Sequence, residues 1–120
     1  SLRMEFNQQA ERLEWETIAL QHLNGANKGD AKEQYRLALC FEIGCGVTAS
    51  SVSATRWLEK SAMQNYAPAQ LKLGQYYKIG CGVPRDDTSA IVWFTKAASL
   101  GSSMATFFLA RYLEEGIPSL

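Results

Sequence analysis

One hundred and twenty residues, 47% of them apolar and 20% charged, make one domain's worth of chain, able to bury a core without disulfides or metals. Twelve Lys and Arg balance twelve Asp and Glu, so no strong field draws nucleic acid or an anionic lipid surface. Three cysteines, an odd count, argue against a disulfide framework and favour a reducing, cytoplasmic setting; a periplasmic or secreted one stays open if a signal segment has been removed.

Ser1, Leu2 and Arg3, ahead of Met4, read as an expression scar. The opening "SLRMEFNQQAER" lacks the apolar centre of a signal peptide, and no run of about 18 apolar residues follows to span a membrane. Residues 4–24 hold neither glycine nor proline and read as one helix within an N-terminal segment 4–30. Its "QQAERLEWETIALQHL" spreads Leu13, Trp15, Ile18, Ala19 and Leu23 around much of the helix. That leaves an apolar strip beyond what its neighbours need.

From Ala31 the chain repeats itself. Shifting it by 36 residues aligns 31–66 with 67–102 at thirteen positions, among them the pentapeptide "IGCGV" at 43–47 and 79–83. Gln34 falls on Gln70, Leu37 on Leu73, Ala54 on Ala90 and Trp57 on Trp93. A partial third copy, 103–120, sets Ala105, Leu109, Tyr112 and Gly116 under Ala69, Leu73, Tyr76 and Gly80. On the same shift Ile18, His22 and Ala26 fall under Ala54, Leu58 and Ala62. The N-terminal segment is therefore a degenerate second helix of an earlier unit, or a cap. A period of this length means stacked units.

Within a unit the apolar spacing is helical and predicts two short helices, A and B. Ala38, Gly74 and Ala110 share one small-residue position on helix A, as a close helix crossing requires. The pentapeptide then stops helix A. Gly80 suits the left-handed cap, Gly82 is a second permissive joint, and Val47 or Val83 plugs the turn. Pro84 blocks continuation, and Asp86 or Asp87 is placed to cap helix B, as Ser50 or Ser51 is in the first unit.

This pattern resembles the Sel-1-like repeat, a longer relative of the tetratricopeptide repeat. Ala67, Ala69, Leu73, Gly74, Tyr77, Gly80, Gly82, Val83, Asp86, Ala90, Trp93, Phe94, Lys96, Ala97, Ala98 and Gly101 carry the motif. The first unit departs from it, with Ala38 for the glycine, Phe41 for the tyrosine and no aspartate. The third has only its A helix, followed by "EGIPSL". The resemblance covers roughly 26–120 and implies an all-α, right-handed α-solenoid of antiparallel helix pairs, with about two full repeats. It also implies an adaptor role on a concave face lined by A helices. A cysteine-rich branch of the family has one disulfide per repeat and members linked to β-lactam binding. Cys40, Cys45 and Cys81 do not recur as a pair per repeat, which sets this chain apart from that branch.

Catalytic chemistry finds little footing. His22 is the single histidine and occupies the slot of Leu58 and Phe94. Cys40 and Cys45 have no second pair with which to hold zinc. Cys45 and Cys81 follow a helix C-terminus, where the dipole opposes a thiolate. The paired glycines come after a helix, whereas phosphate loops precede one. Glu114 and Glu115 are adjacent and so lie on different faces, while Trp57 and Trp93 read as core pillars. No catalytic residue, metal set or cofactor is expected.

The expected partner is a protein or peptide, with no nucleic acid and no direct membrane insertion. Uncovered terminal helices, the one carrying Phe107, Phe108 and Leu113 included, leave room for self-association. Tetratricopeptide geometry turns Tyr35, Leu39 and Glu42, then Leu71, Gln75 and Lys78, then Phe107, Arg111 and Glu114 toward the groove. The competing reading has Tyr35, Leu71 and Phe107 packed within the stack. The rival functions are a spacer inside a longer protein and a hydrolytic or β-lactam-binding member of the cysteine-rich branch.

Overall fold

Asp30, Ser50, Asp86 and Ser102 start helices as side-chain caps, one helix starts at Ala67 and Pro68 without such a cap, and each A helix stops at a glycine. In the computed structural model, which describes residues 1–116, these signals delimit α1 (Leu2–Asn27), α2 (Ala31–Ile43), α3 (Ser51–Ala62), α4 (Ala67–Ile79), α5 (Asp87–Ser99) and α6 (Ser103–Glu115). Ser50 caps α3 by accepting from Ser53 N at 3.1 Å, and Asp86 caps α5 by accepting from Ser89 N at 3.2 Å. Gly44 and Gly80 end α2 and α4 at φ of 84° and 77°. The Cys45 and Cys81 amides reach back to the Cys40 and Tyr76 carbonyls at 3.0 Å.

α1 outruns the glycine-free stretch 4–24 at both ends. Ser1 Oγ accepts from Met4 N and starts the helix at Leu2. At the far end it passes through Gly25 to Asn27. A Cβ on Gly25 would lie 2.6 Å from Glu33 Cγ, so the glycine makes room for the side chain that ties α1 to α2. The last four residues of the expected partial unit 103–120 lie outside the described ones.

Among the described residues the fold is all-α, with α2–α3 and α4–α5 as antiparallel hairpins. α1 packs on α2, α3 on α4 and α5 on α6, giving a stack 57 × 32 × 23 Å across. Its core sits at the junctions between units. Ala38, Ala54, Leu58, Ala62, Ala69, Leu73 and Tyr76 form one buried cluster joining α2, α3 and α4. Ala90, Phe94, Ala97, Ala105 and Tyr112 form a second between α5 and α6. Alanine at the crossings lets helix axes approach closely, and the few large side chains then fill the gaps. Phe94 lies over Gly74, where a Cβ would sit 2.6 Å from its ring. In the first unit the smaller Leu58 stands in the Phe94 position and Ala38 in that of Gly74.

The second glycine of the pentapeptide does more than permit a turn. A Cβ on Gly46 would lie 2.2 Å from the Trp15 carbonyl oxygen, and one on Gly82 2.3 Å from that of Ser51. Trp15 and Ser51 are themselves one repeat apart. Each loop therefore rests on the backbone of the preceding unit's B helix.

Candidate protein-interaction face

The A helices α2, α4 and α6 lie side by side, joined by one contact made twice with different chemistry. Glu42 on α2 meets Lys72 on α4 at 3.1 Å. One repeat later Lys78 on α4 sits over Phe108 and Tyr112 on α6, at 5.2 and 5.7 Å from the ring centroids. Phe108 occupies the position of Lys72, so an ion pair becomes a cation–π contact as the residue changes. Burial, with Glu42 close by, pushes the Tyr76 hydroxyl well above its ordinary value and keeps it neutral.

Those contacts sort the nine residues of the expected groove. Tyr35 is half-buried against the first core cluster, its ring 5.5 Å from that of Tyr66. Leu71 is half-buried against the second cluster. Glu42 and Lys78 are taken up in the lateral pairs just described. Leu39, Gln75 and Arg111 occupy one equivalent position on the three helices; the first two are half-buried and Arg111 is exposed. Phe107 is 51% exposed, edge-on to Phe108 and under the Arg111 guanidinium. Arg111 also bonds Glu115 at 2.8 Å, while Glu114 is exposed. Phe108, expected to lie bare, is instead stacked on Phe94 at 5.1 Å.

The side chains weighed for chemistry have structural surroundings. His22 Nδ1 lies 2.5 Å from Glu33 Oε2, and Arg36 holds the other carboxylate oxygen at 2.9 Å. The bond from His22, then that from Arg36, draws the Glu33 carboxyl below its usual range against a desolvation penalty. The three cysteines are free thiols; burial, helped by neighbouring Cys45, pushes the buried Cys40 thiol up and away from reactivity. Among the described residues no three of His, Cys, Asp and Glu gather as a metal site would require. Nor, among them, is any helix long and apolar enough to cross a membrane. Trp57 and Trp93 are half-buried at the edge of the first cluster, with Lys60 and Lys96 over their rings at 4.6 and 4.7 Å.

Sequence reasoning aligned Gln34 with Gln70 without assigning them work. Both are buried, and each donates to the last turn of the B helix before it, Gln34 to the Ala26 carbonyl at 3.2 Å and Gln70 to that of Ala62 at 3.1 Å. Gln64 completes the first by donating to Gln34 Oε1 at 2.8 Å. Leu100 stands in the Gln64 position of the second unit, and among the described residues the buried Gln70 Oε1 finds no partner. The recurrence of a buried polar residue was the signal available.

The family described as Sel1 repeat matches residues 34–66 and 67–102. A search of the curated proteins finds no match. Among solved structures the chain is similar to a Sel1 repeat protein from Oxalobacter formigenes, with a TM-score of 0.78 and 32% identity over 81% of this chain and 40% of that one. It is similar in fold to c5321, described as a protective antigen present in uropathogenic Escherichia coli strains, at a TM-score of 0.76 and 24% identity over 92% of this chain and 27% of that one. The cysteine rich protein B of Helicobacter pylori gives 0.75 and 24% over 78% and 70%. The chain thus spans well under two thirds of the first two. Two matched units, repeating caps and junctions, and a shared solenoid architecture have one meaning: the chain belongs to the Sel1 repeat family.

Proposed function

We propose that this chain is a non-catalytic interaction module that holds a partner protein or peptide on its A-helix face. The observation that carries the reading is the lateral joining of α2, α4 and α6 through Glu42–Lys72 and Lys78–Phe108. Three helices joined in this way offer a continuous surface, on which Leu39, Gln75 and Arg111 stand in one row beside the exposed Phe107. A row that mixes an aliphatic, an amide, an aromatic and a guanidinium suits an extended segment or a helix with alternating apolar and acidic groups. Family membership supports the same reading, since Sel1 repeats commonly mediate protein contacts.

The test compares wild type with Leu39→Glu plus Gln75→Glu in capture from the host's lysate, after circular dichroism shows both folded. A partner lost only from the double variant supports binding on this face. Equal retention by both moves the site off the A helices. Capture of nothing favours a spacer, a reading that the internal use of Tyr35, Glu42, Leu71 and Lys78 also supports.

A further inference from the structure

A second surface, along α1, has features the A-helix face lacks. Residues 1–15 of the chain are exposed throughout, and α1 carries Leu2, Phe6, Leu13 and Leu20 at 85, 74, 56 and 65% exposure. Phe6, Leu13 and Leu20 are seven residues apart, so they form one stripe along the helix, with Leu2 and Leu23 beside it. A preceding A helix would not cover this stripe. By the repeat register such a helix packs over Ile18 and His22, the counterparts of Ala54 and Leu58, and Ile18 lies on the far side of α1 from Leu20. In the first full unit the counterparts of Leu20 and Leu23 are the exposed Arg56 and the half-buried Glu59, both charged. Here the same positions are apolar.

The C-terminal half of the stripe borders an open cleft of about 260 Å³, lined by Leu20 and Leu23 of α1, Leu37 and Phe41 of α2, and Val47 of the loop, with Glu16 its one charged residue. The N-terminal half projects bare aromatic and aliphatic side chains. Donor and recipient thus lie on one helix, Phe6 and the cleft-lining Leu20 being about 21 Å apart along its axis. A two-fold axis midway between them satisfies both halves at once, which is the self-complementarity that a closed dimer requires.

We propose that α1 pairs antiparallel with α1 of a second copy, Phe6 of each seating against Leu20 at the mouth of the other's cleft. Charge supports this register. Arg12 and Glu16, 3.9 Å apart within one helix, flank the two-fold, so Arg12 of each copy comes beside Glu16 of the other. Leu13 meets its own counterpart on the axis, and Leu20 faces Phe6 across it. This pairing is independent of the A-helix face and leaves it open in both copies.

Sedimentation velocity on the 120-residue protein, from about 1 to about 300 µM, reads the outcome. Wild type is expected to pass from one copy to two with rising concentration. Leu20→Arg, which installs the residue the next unit holds at Arg56, and Phe6→Glu are each expected to stay at one copy over the whole range. Both sites are exposed, so circular dichroism and melting should be unchanged. Ile18→Lys, on the far side of α1, is expected to dimerise as wild type does. The proposal is overturned by a wild type that remains monomeric, by growth beyond two copies, by dimers that persist in both Leu20→Arg and Phe6→Glu, or by a dimer that only Ile18→Lys abolishes.

Discussion

At Gly74 two helices meet with no side chain on one of them, and the space is filled by the Phe94 ring. Gly74→Ala should therefore cost about 1–3 kcal/mol through overpacking, despite the better helix propensity of alanine. In a Phe94→Leu background the same change should be neutral or stabilising, because Ala38 with Leu58 already packs this way one repeat earlier. Paired urea melts would show the reversal of sign; a cost equal in both backgrounds would mean that the ring is not what excludes the methyl. A second expectation comes from the orphaned Gln70 Oε1. Leu100 is 52% exposed, so Leu100→Gln loses little apolar burial and supplies the donor that Gln64 gives Gln34. It should raise stability by about 1 kcal/mol, read as a higher urea midpoint at unchanged slope.

Between elements, the two glycines of each pentapeptide have separate tasks. The first ends helix A in the left-handed region; the second brings the loop onto the previous B helix. Thr55 reinforces that approach, its hydroxyl donating to the Ser51 carbonyl at 2.9 Å and lying 3.3 Å from that of Cys81. Gly82→Ala combines a strained φ of 69° with a methyl placed against backbone, and is expected to cost more than about 2 kcal/mol. Gly101→Ala, at φ of 97° with nothing within 4 Å, should cost only the backbone term, about 1 kcal/mol. Thermal melts of the two variants separate the tasks: equal losses would show that conformation alone, and not the contact with Ser51, fixes the glycine.

For the molecule as a whole, placing the core at junctions means that no hairpin buries its apolar residues alone. The first cluster needs α4 as well as α2 and α3, and the second borrows Leu71 and Tyr77 from α4. Polar groups follow the same plan: Gln34 and Gln70 bond back to the preceding helix, Ser61 to the Ala31 carbonyl, and Tyr112 from its hydroxyl to Asp87 at 2.9 Å. Stability in such a stack is carried by nearest-neighbour interfaces, so residues at the faces between units hold the fold and those left over are available for partners.

The sequence by itself determined the helix pairs, their period, their caps and their small-residue crossings, because each is a local requirement written again 36 residues later. It made the family legible for the same reason. Which residues of the A-helix face stay free was not legible. Glu42 and Lys72 lie in different units, and whether they meet depends on how closely α2 and α4 approach, a distance set by the alanine-lined junction beneath them. Tyr35 and Leu71 were drawn into the stack by that same spacing, while Phe107, at the equivalent position of α6, is half exposed. The stripe on α1 could be seen as a pattern in the chain. Only the tertiary structure decided that it lies beside an apolar cleft, because that depends on which face of α1 the junction with α2 consumes.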